Sequence, residues 1–162
     1  MRRIVAGLCL VFTFFFLCNF SYAESPQAET NRAFALINEG LKRYNVSDFR
    51  GAIERWETAL ATFQKFGNKQ AIDAIIGTLG MAYGNLGDYR KAISYYEKAL
   101  VISEETGDKK GKGAIIGALG MAYSSLGDYR KAISFHEKAL AIAEETGDKR
   151  AIGTVIGILG NA

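Results

Sequence analysis

The chain has 162 residues, 49% of them apolar and 23% charged, with 18 glycines, one proline, two cysteines, one histidine and a formal charge of +3. That length suits one compact domain or a short repeat array. Both cysteines, two arginines and no acid fall in residues 1–23, so the remaining chain has no cysteine and holds 18 Lys and Arg against 17 Asp and Glu. A chain so close to neutral lacks the positive field of a nucleic-acid binder, and without thiols it can build neither disulfides nor thiolate metal sites. A single histidine announces no metal site or catalytic triad, and no cofactor is expected.

Met1-Arg2-Arg3 is a positive start, Ile4 to Cys18 is an apolar run of fifteen, and Ser21-Tyr22-Ala23 ends it with small residues at the −3 and −1 positions. This predicts a secretory signal, residues 1–23, cleaved after Ala23, and a periplasmic or secreted product. An uncleaved membrane anchor is the rival reading, but fifteen residues fall short of the roughly 20 that span a bilayer. Leu8 before Cys9 and Leu17 before Cys18 do not suit a lipoprotein signal.

Residues 24–162 form the expected array. Ser25-Pro26 places an N-cap and an N1 proline at the start of a first helix. Residues 72–111 and 112–151 agree at 29 of 40 positions, 32–71 matches in register at lower identity, and 152–162 begins a further repeat. Ile75, Ile76, Leu79, Ala82, Tyr83 and Leu86 fall at helical spacing, as do Tyr89, Ala92, Ile93, Tyr96, Ala99, Leu100 and Ser103. Each repeat is therefore two amphipathic helices. Gly87-Asp88 and Gly107-Asp108 supply a left-handed C′ residue and the next N-cap, and junctions this short allow only antiparallel hairpins.

The segment LGMAYGNLGDYRKAISYYEKAL resembles the tetratricopeptide repeat, with Leu79, Gly80, Tyr83, Gly87, Asp88, Tyr89, Ala92, Tyr96 and Ala99 at its signature positions. The forty-residue spacing and the EETGDK turn resemble the longer variety seen in kinesin light chains, LGN-type adaptors and many bacterial multi-repeat proteins. The resemblance implies an all-α fold, a right-handed solenoid of antiparallel helix pairs. It also implies a concave groove that receives a protein or peptide segment, with no nucleic acid, no metal and no catalysis. The first repeat departs from the pattern, with Glu39, Arg43 and Ser47 where Leu, Tyr and Gly are usual. It is expected to be an N-terminal cap with a more polar outer face.

Glycines 77, 80 and 84 lie inside one helix and 113, 117 and 120 inside its copy. Each costs about 1 kcal/mol relative to alanine, so close approach of a neighbouring backbone is the expected compensation. The resemblance places Gly80 and Gly120 where neighbouring helices touch. Gly77 and Gly117 share another face, with Ala74, Thr78, Met81 and Asn85, and in the copy with Ala114, Ala118, Met121 and Ser125. That face is expected to line the groove, a shallow glycine and alanine floor studded with methionines and suited to apolar side chains. Packing against the preceding repeat alone is the alternative. LGN-type relatives carry asparagines in an NLGN pattern on this face. Here Thr78 with Met81 and Ala118 with Met121 take those places, and Asn161 keeps the second asparagine.

Lys69, Lys109, Lys110, Lys112, Lys149 and Arg150 cluster at the turns, either as solvated residues or as a basic rim steering an acidic partner. Gly107 to Lys112 fails as a phosphate loop because its glycine spacing is one short and no Ser or Thr follows Lys112. His136 holds the repeat position of Tyr96 and Trp56, which makes it a packing residue, and the recurring pairs Glu104-Glu105 and Glu144-Glu145 define no cleft. The expected function is an exported scaffold for protein–protein interaction. The rival is the N-terminal docking arm of a larger protein carrying a protease, cyclase or kinase domain, since the sequence stops inside a repeat. A third expectation is self-association through the C-terminal end.

Overall fold

The computed structural model describes residues 25–160, which leaves the predicted signal segment and Asn161 outside the described residues. Seven helices follow one another among the described residues: α1 Pro26–Asn45, α2 Phe49–Phe66, α3 Lys69–Asn85, α4 Tyr89–Thr106, α5 Lys109–Ser125, α6 Tyr129–Thr146 and α7 Lys149–Leu159. Each helix packs chiefly on its neighbours in the chain, which makes the fold an all-α repeat solenoid.

The helix ends follow from short polar side chains and glycine. Asp48, Asn68, Asp88, Asp108, Asp128 and Asp148 each accept a hydrogen bond from the backbone N–H three residues on, and Ser25 does the same ahead of Pro26. Each such cap is worth about 1 kcal/mol. Gly67, Gly87, Gly107, Gly127 and Gly147 all turn through the left-handed region, with φ between 68° and 84°. Ser47 must do the same, at φ 62°, because the first repeat has no glycine there.

The core is a strip of small and large side chains in two clusters, a main one and a smaller one of Ile116, Ala139 and Val155, with half-buried Leu100 and Phe135 packed against both. Phe63, Ile75, Leu79 and Leu119 are its largest fully buried members, with alanines 52, 59, 82 and 92 letting helices close on one another. Aromatic residues tie helices together within and between repeats: the Trp56 indole donates to the Ile37 carbonyl at 3.1 Å inside the first repeat, and the Tyr83 hydroxyl donates to Glu57 of the preceding repeat at 2.6 Å. Burial first, and the Glu57 carboxylate second, push the Tyr83 phenol far above its ordinary value. Tyr83 stacks on Tyr95 at 5.4 Å, a contact that Tyr123 and Phe135 repeat at 5.3 Å one turn of the solenoid later.

The first repeat is less uniformly polar than its sequence suggests. Glu39 and Arg43 do find partners, in Arg55 and Asp48, but Phe34 and Leu41 are exposed beside them. Phe34 keeps one edge against Phe63, with ring centroids 4.9 Å apart.

Candidate functional site

The helix glycines separate into two kinds once neighbours are in place. A Cβ on Gly80 would lie 2.6 Å from the Tyr96 ring, one on Gly120 would lie 2.6 Å from the His136 ring, and one on Gly40 would lie 2.3 Å from Trp56. These three glycines are the seats on which the aromatic or imidazole ring of the following helix rests. Gly77 has nothing within 4 Å of a Cβ, and Gly117 has only the Ala139 methyl at 4.0 Å. These two face open space.

The residues expected beside that second kind differ in exposure. On α3, Ala74, Met81 and Asn85 are exposed and Gly77 and Thr78 are half-buried; on α5, Ala114, Met121 and Ser125 are exposed and Gly117 and Ala118 are half-buried. Met81 is 47% exposed and Met121 60%, so two flexible apolar side chains stand in solvent above a floor with almost no side chains. Thr78 turns its hydroxyl onto the Ile75 carbonyl at 2.8 Å, and Asn85 donates to the Tyr44 hydroxyl at 2.6 Å. Each therefore already spends one donor inside the chain.

Ala114, Gly117, Ala118 and Met121 also border a cavity of about 360 Å³. Its other walls come from α6, through His136, Ala139, Ile142 and Ala143, and from α7, through Ala151, Val155 and Ile158. Lys110 and Arg150 stand at the end where α5 and α7 begin. Sequence periodicity gave no sign of this cavity, because its walls belong to three helices of two repeats. The basic turn cluster resolves unevenly: Lys109 pairs with Glu145 and Lys112 with Glu104, and no ion pair forms at Lys110 or Arg150 among the described residues. The Lys109 ammonium holds the Glu145 carboxyl below its ordinary range.

His136 is 3% exposed and packed on Gly120, as its repeat position predicts. Neither ring nitrogen has a hydrogen-bond partner, whereas the Trp56 indole at the matching position has one. Burial lowers its affinity for a proton. No three His, Cys, Asp or Glu come together as a metal site among the described residues, and no helix there is long and apolar enough to cross a membrane.

The tetratricopeptide repeat family model matches residues 72–145. That stretch is 74 of the 162 residues, and over it the sequence resembles the tetratricopeptide repeat. The tetratricopeptide domain of Arabidopsis FLU is similar to it at TM-score 0.66 and 24% identity, over 72% of this chain and 98% of that one. The N-terminal domain of stress-induced protein-1 from C. elegans is similar at TM-score 0.63 and 19% identity, over 80% and 96%. The Rap conjugation gene regulator of plasmid pLS20, solved in complex with the Phr* peptide, is similar at TM-score 0.73 and 17% identity, over 79% of this chain and 36% of the regulator. At these identities the likeness is one of fold. No curated protein matches the sequence.

Proposed function

We propose that the chain is an exported scaffold that binds a segment of another protein across the face formed by α3 and α5, without chemistry of its own. The observation that carries this reading is the pair of solvent-exposed methionines, Met81 and Met121, above the open Gly77 and Gly117 floor. A soluble helix gains nothing by exposing them, whereas a partner's apolar side chains can repack them at little cost. Tetratricopeptide repeats are a protein-interaction fold, and the Rap regulator, similar in fold, holds a peptide. Export is supported by the signal pattern of residues 1–23.

The test is selection of binders from a displayed peptide library on the mature chain, followed by Met81→Glu with Met121→Glu. The double variant is expected to lose at least tenfold in affinity while keeping its unfolding midpoint. Retained affinity would refute the assignment of the face. For export, protein recovered from the exported fraction of the source cells is expected to begin at Glu24. An N-terminus at Met1 with no exported pool would overturn that part of the reading. The intact mass of the same material distinguishes a scaffold of residues 24–162 from the docking arm of a larger protein.

A further inference from the structure

The two closest copies of the repeat, 72–111 and 112–151, differ at 11 of 40 positions, and six of the differing residues in the second copy line the cavity between α5, α6 and α7. Four of those six changes trim its walls. Asp73, Thr78, Tyr96 and Ser103 of the first copy give way to Gly113, Ala118, His136 and Ala143. Every one of the four removes a side-chain oxygen from the α5 and α6 walls, while on the α7 wall Ala151, Thr154 and Ile158 stand where Gly111, Ala114 and Ala118 stand one repeat earlier. Lys110 gives way to Arg150, which keeps the positive charge at the mouth.

Two observations say what such a space would hold. The first is charge. Lys110 and Arg150 form no ion pair among the described residues, the carboxylate that Asp73 supplies in the earlier repeat is missing at Gly113, and Asp148 is occupied in capping the Ala151 N–H at 3.0 Å. Two cations against the one carboxylate of Asp148 leave that end of the cavity with a positive balance. The second is the His136 imidazole, buried in the wall with both nitrogens unpartnered. A neutral imidazole offers one donor and one acceptor, the same complement that a peptide unit offers in return. Neither nitrogen is exposed, so the ring must turn about its Cβ–Cγ bond, toward the adjoining cavity, to meet one.

We propose that this cavity is an anchor pocket for one large apolar side chain of a partner peptide, whose acidic residues lie over Lys110 and Arg150. The proposal rests on the reading of α3 and α5 as a peptide-binding face, and names the chemistry that face selects. From Lys110 to Met121 the α5 helix advances about 16 Å, at 1.5 Å per residue. An extended peptide covers that in about five residues, so the acid and the anchor are separated by three or four.

The test uses the mature chain and two short peptides, each with a phenylalanine separated by three alanines from a pair of glutamates, in one peptide before the phenylalanine and in the other after it. The chain has one histidine, so the imidazole resonances belong to His136 without ambiguity. One of the two peptides is expected to shift them, and to bind at least tenfold more weakly when lysines replace its glutamates or alanine its phenylalanine. A variant combining Gly113→Asp, Ala118→Thr, His136→Tyr and Ala143→Ser installs side chains that the preceding repeat already accommodates in the same fold. It is expected to keep its unfolding midpoint and lose at least tenfold in affinity. Lys110→Glu with Arg150→Glu is expected to prefer the lysine peptide. The proposal is overturned if neither peptide binds at millimolar concentration, if His136 stays silent at saturation, or if the glutamate and lysine forms bind alike. A peptide that moves the Met81 methyl signal but not His136 would sink the pocket and leave the groove face standing. Binding that shifts His136 but ignores Met81→Glu would instead count against the wider face.

Discussion

Two glycines three residues apart on α3 should respond differently to the same substitution, one gaining stability and the other gaining none or losing it. Alanine in place of glycine inside a helix gains about 1 kcal/mol from backbone propensity alone. At Gly77 the added methyl meets nothing within 4 Å, so Gly77→Ala should realise that gain. At Gly80 the same methyl would sit 2.6 Å and 2.7 Å from two carbons of the Tyr96 ring, which is 8% exposed and has little room to retreat. Overpacking of this kind costs about 1–3 kcal/mol. The propensity gain is common to both variants, so their difference isolates the clash. For a domain of this size each kcal/mol moves the thermal midpoint by about 4 °C. Far-UV circular dichroism on heating should therefore show Gly77→Ala melting about 4 °C higher than the parent, and Gly80→Ala below Gly77→Ala by about 4–12 °C. Gly117→Ala and Gly120→Ala should repeat the contrast against His136. Equal shifts for the two α3 variants would refute the division of these glycines into open floor and ring seat.

Ser47 is the one non-glycine residue with positive φ among the described residues, so Ser47→Gly should stabilise the chain by about 1 kcal/mol in urea unfolding; no gain would mean the serine is not strained. Burial holds the His136 imidazole below its ordinary value of 6.5, so the unfolded chain takes up a proton there before the folded one does, and stability should fall as the pH drops through about 6.5. His136→Tyr should abolish that part of the slope, and a slope unchanged by the substitution would assign it elsewhere. The carboxylates of Asp48, Asp128 and Glu145, each held low by hydrogen bonds or cationic partners, are lost only at more acid pH. Helix α7 buries Val155 alone, so its amides over 154–160 should exchange with deuterium before those of α3; equal protection would contradict the packing.

Most of the architecture could be read from residue type and spacing, because it is decided locally. An Asp or Asn after a left-handed residue ends one helix and caps the next whatever surrounds it, and the apolar stripes of α3 and α4 fix which sides turn inward. The seats at Gly80 and Gly120 were legible through the resemblance, which places them where helices touch; the cost of a helix glycine alone would have asked for a neighbour at Gly77 as well, and none lies within 4 Å. The open floor at Gly77 and Gly117 and the exposure of Met81 and Met121 follow from the same helical period. The uneven polarity of the first repeat did not, because Phe34 and Leu41 are placed by how α1 leans on α2.

What only the tertiary structure decided is how side chains from different repeats meet. Lys109 and Lys112 read the same as Lys110 in sequence, yet acids on neighbouring helices neutralise two of them and leave the third at a cavity mouth. His136 was readable as a packing residue, but its lack of any hydrogen-bond partner depends on what its ring faces across α5. The cavity itself exists because small side chains from α5, α6 and α7 converge, and periodicity along one helix carries no information about that convergence. Helix formation is governed by contacts within about four residues, and so is written in the sequence; the cavity and its free charges arise from packing between helices tens of residues apart.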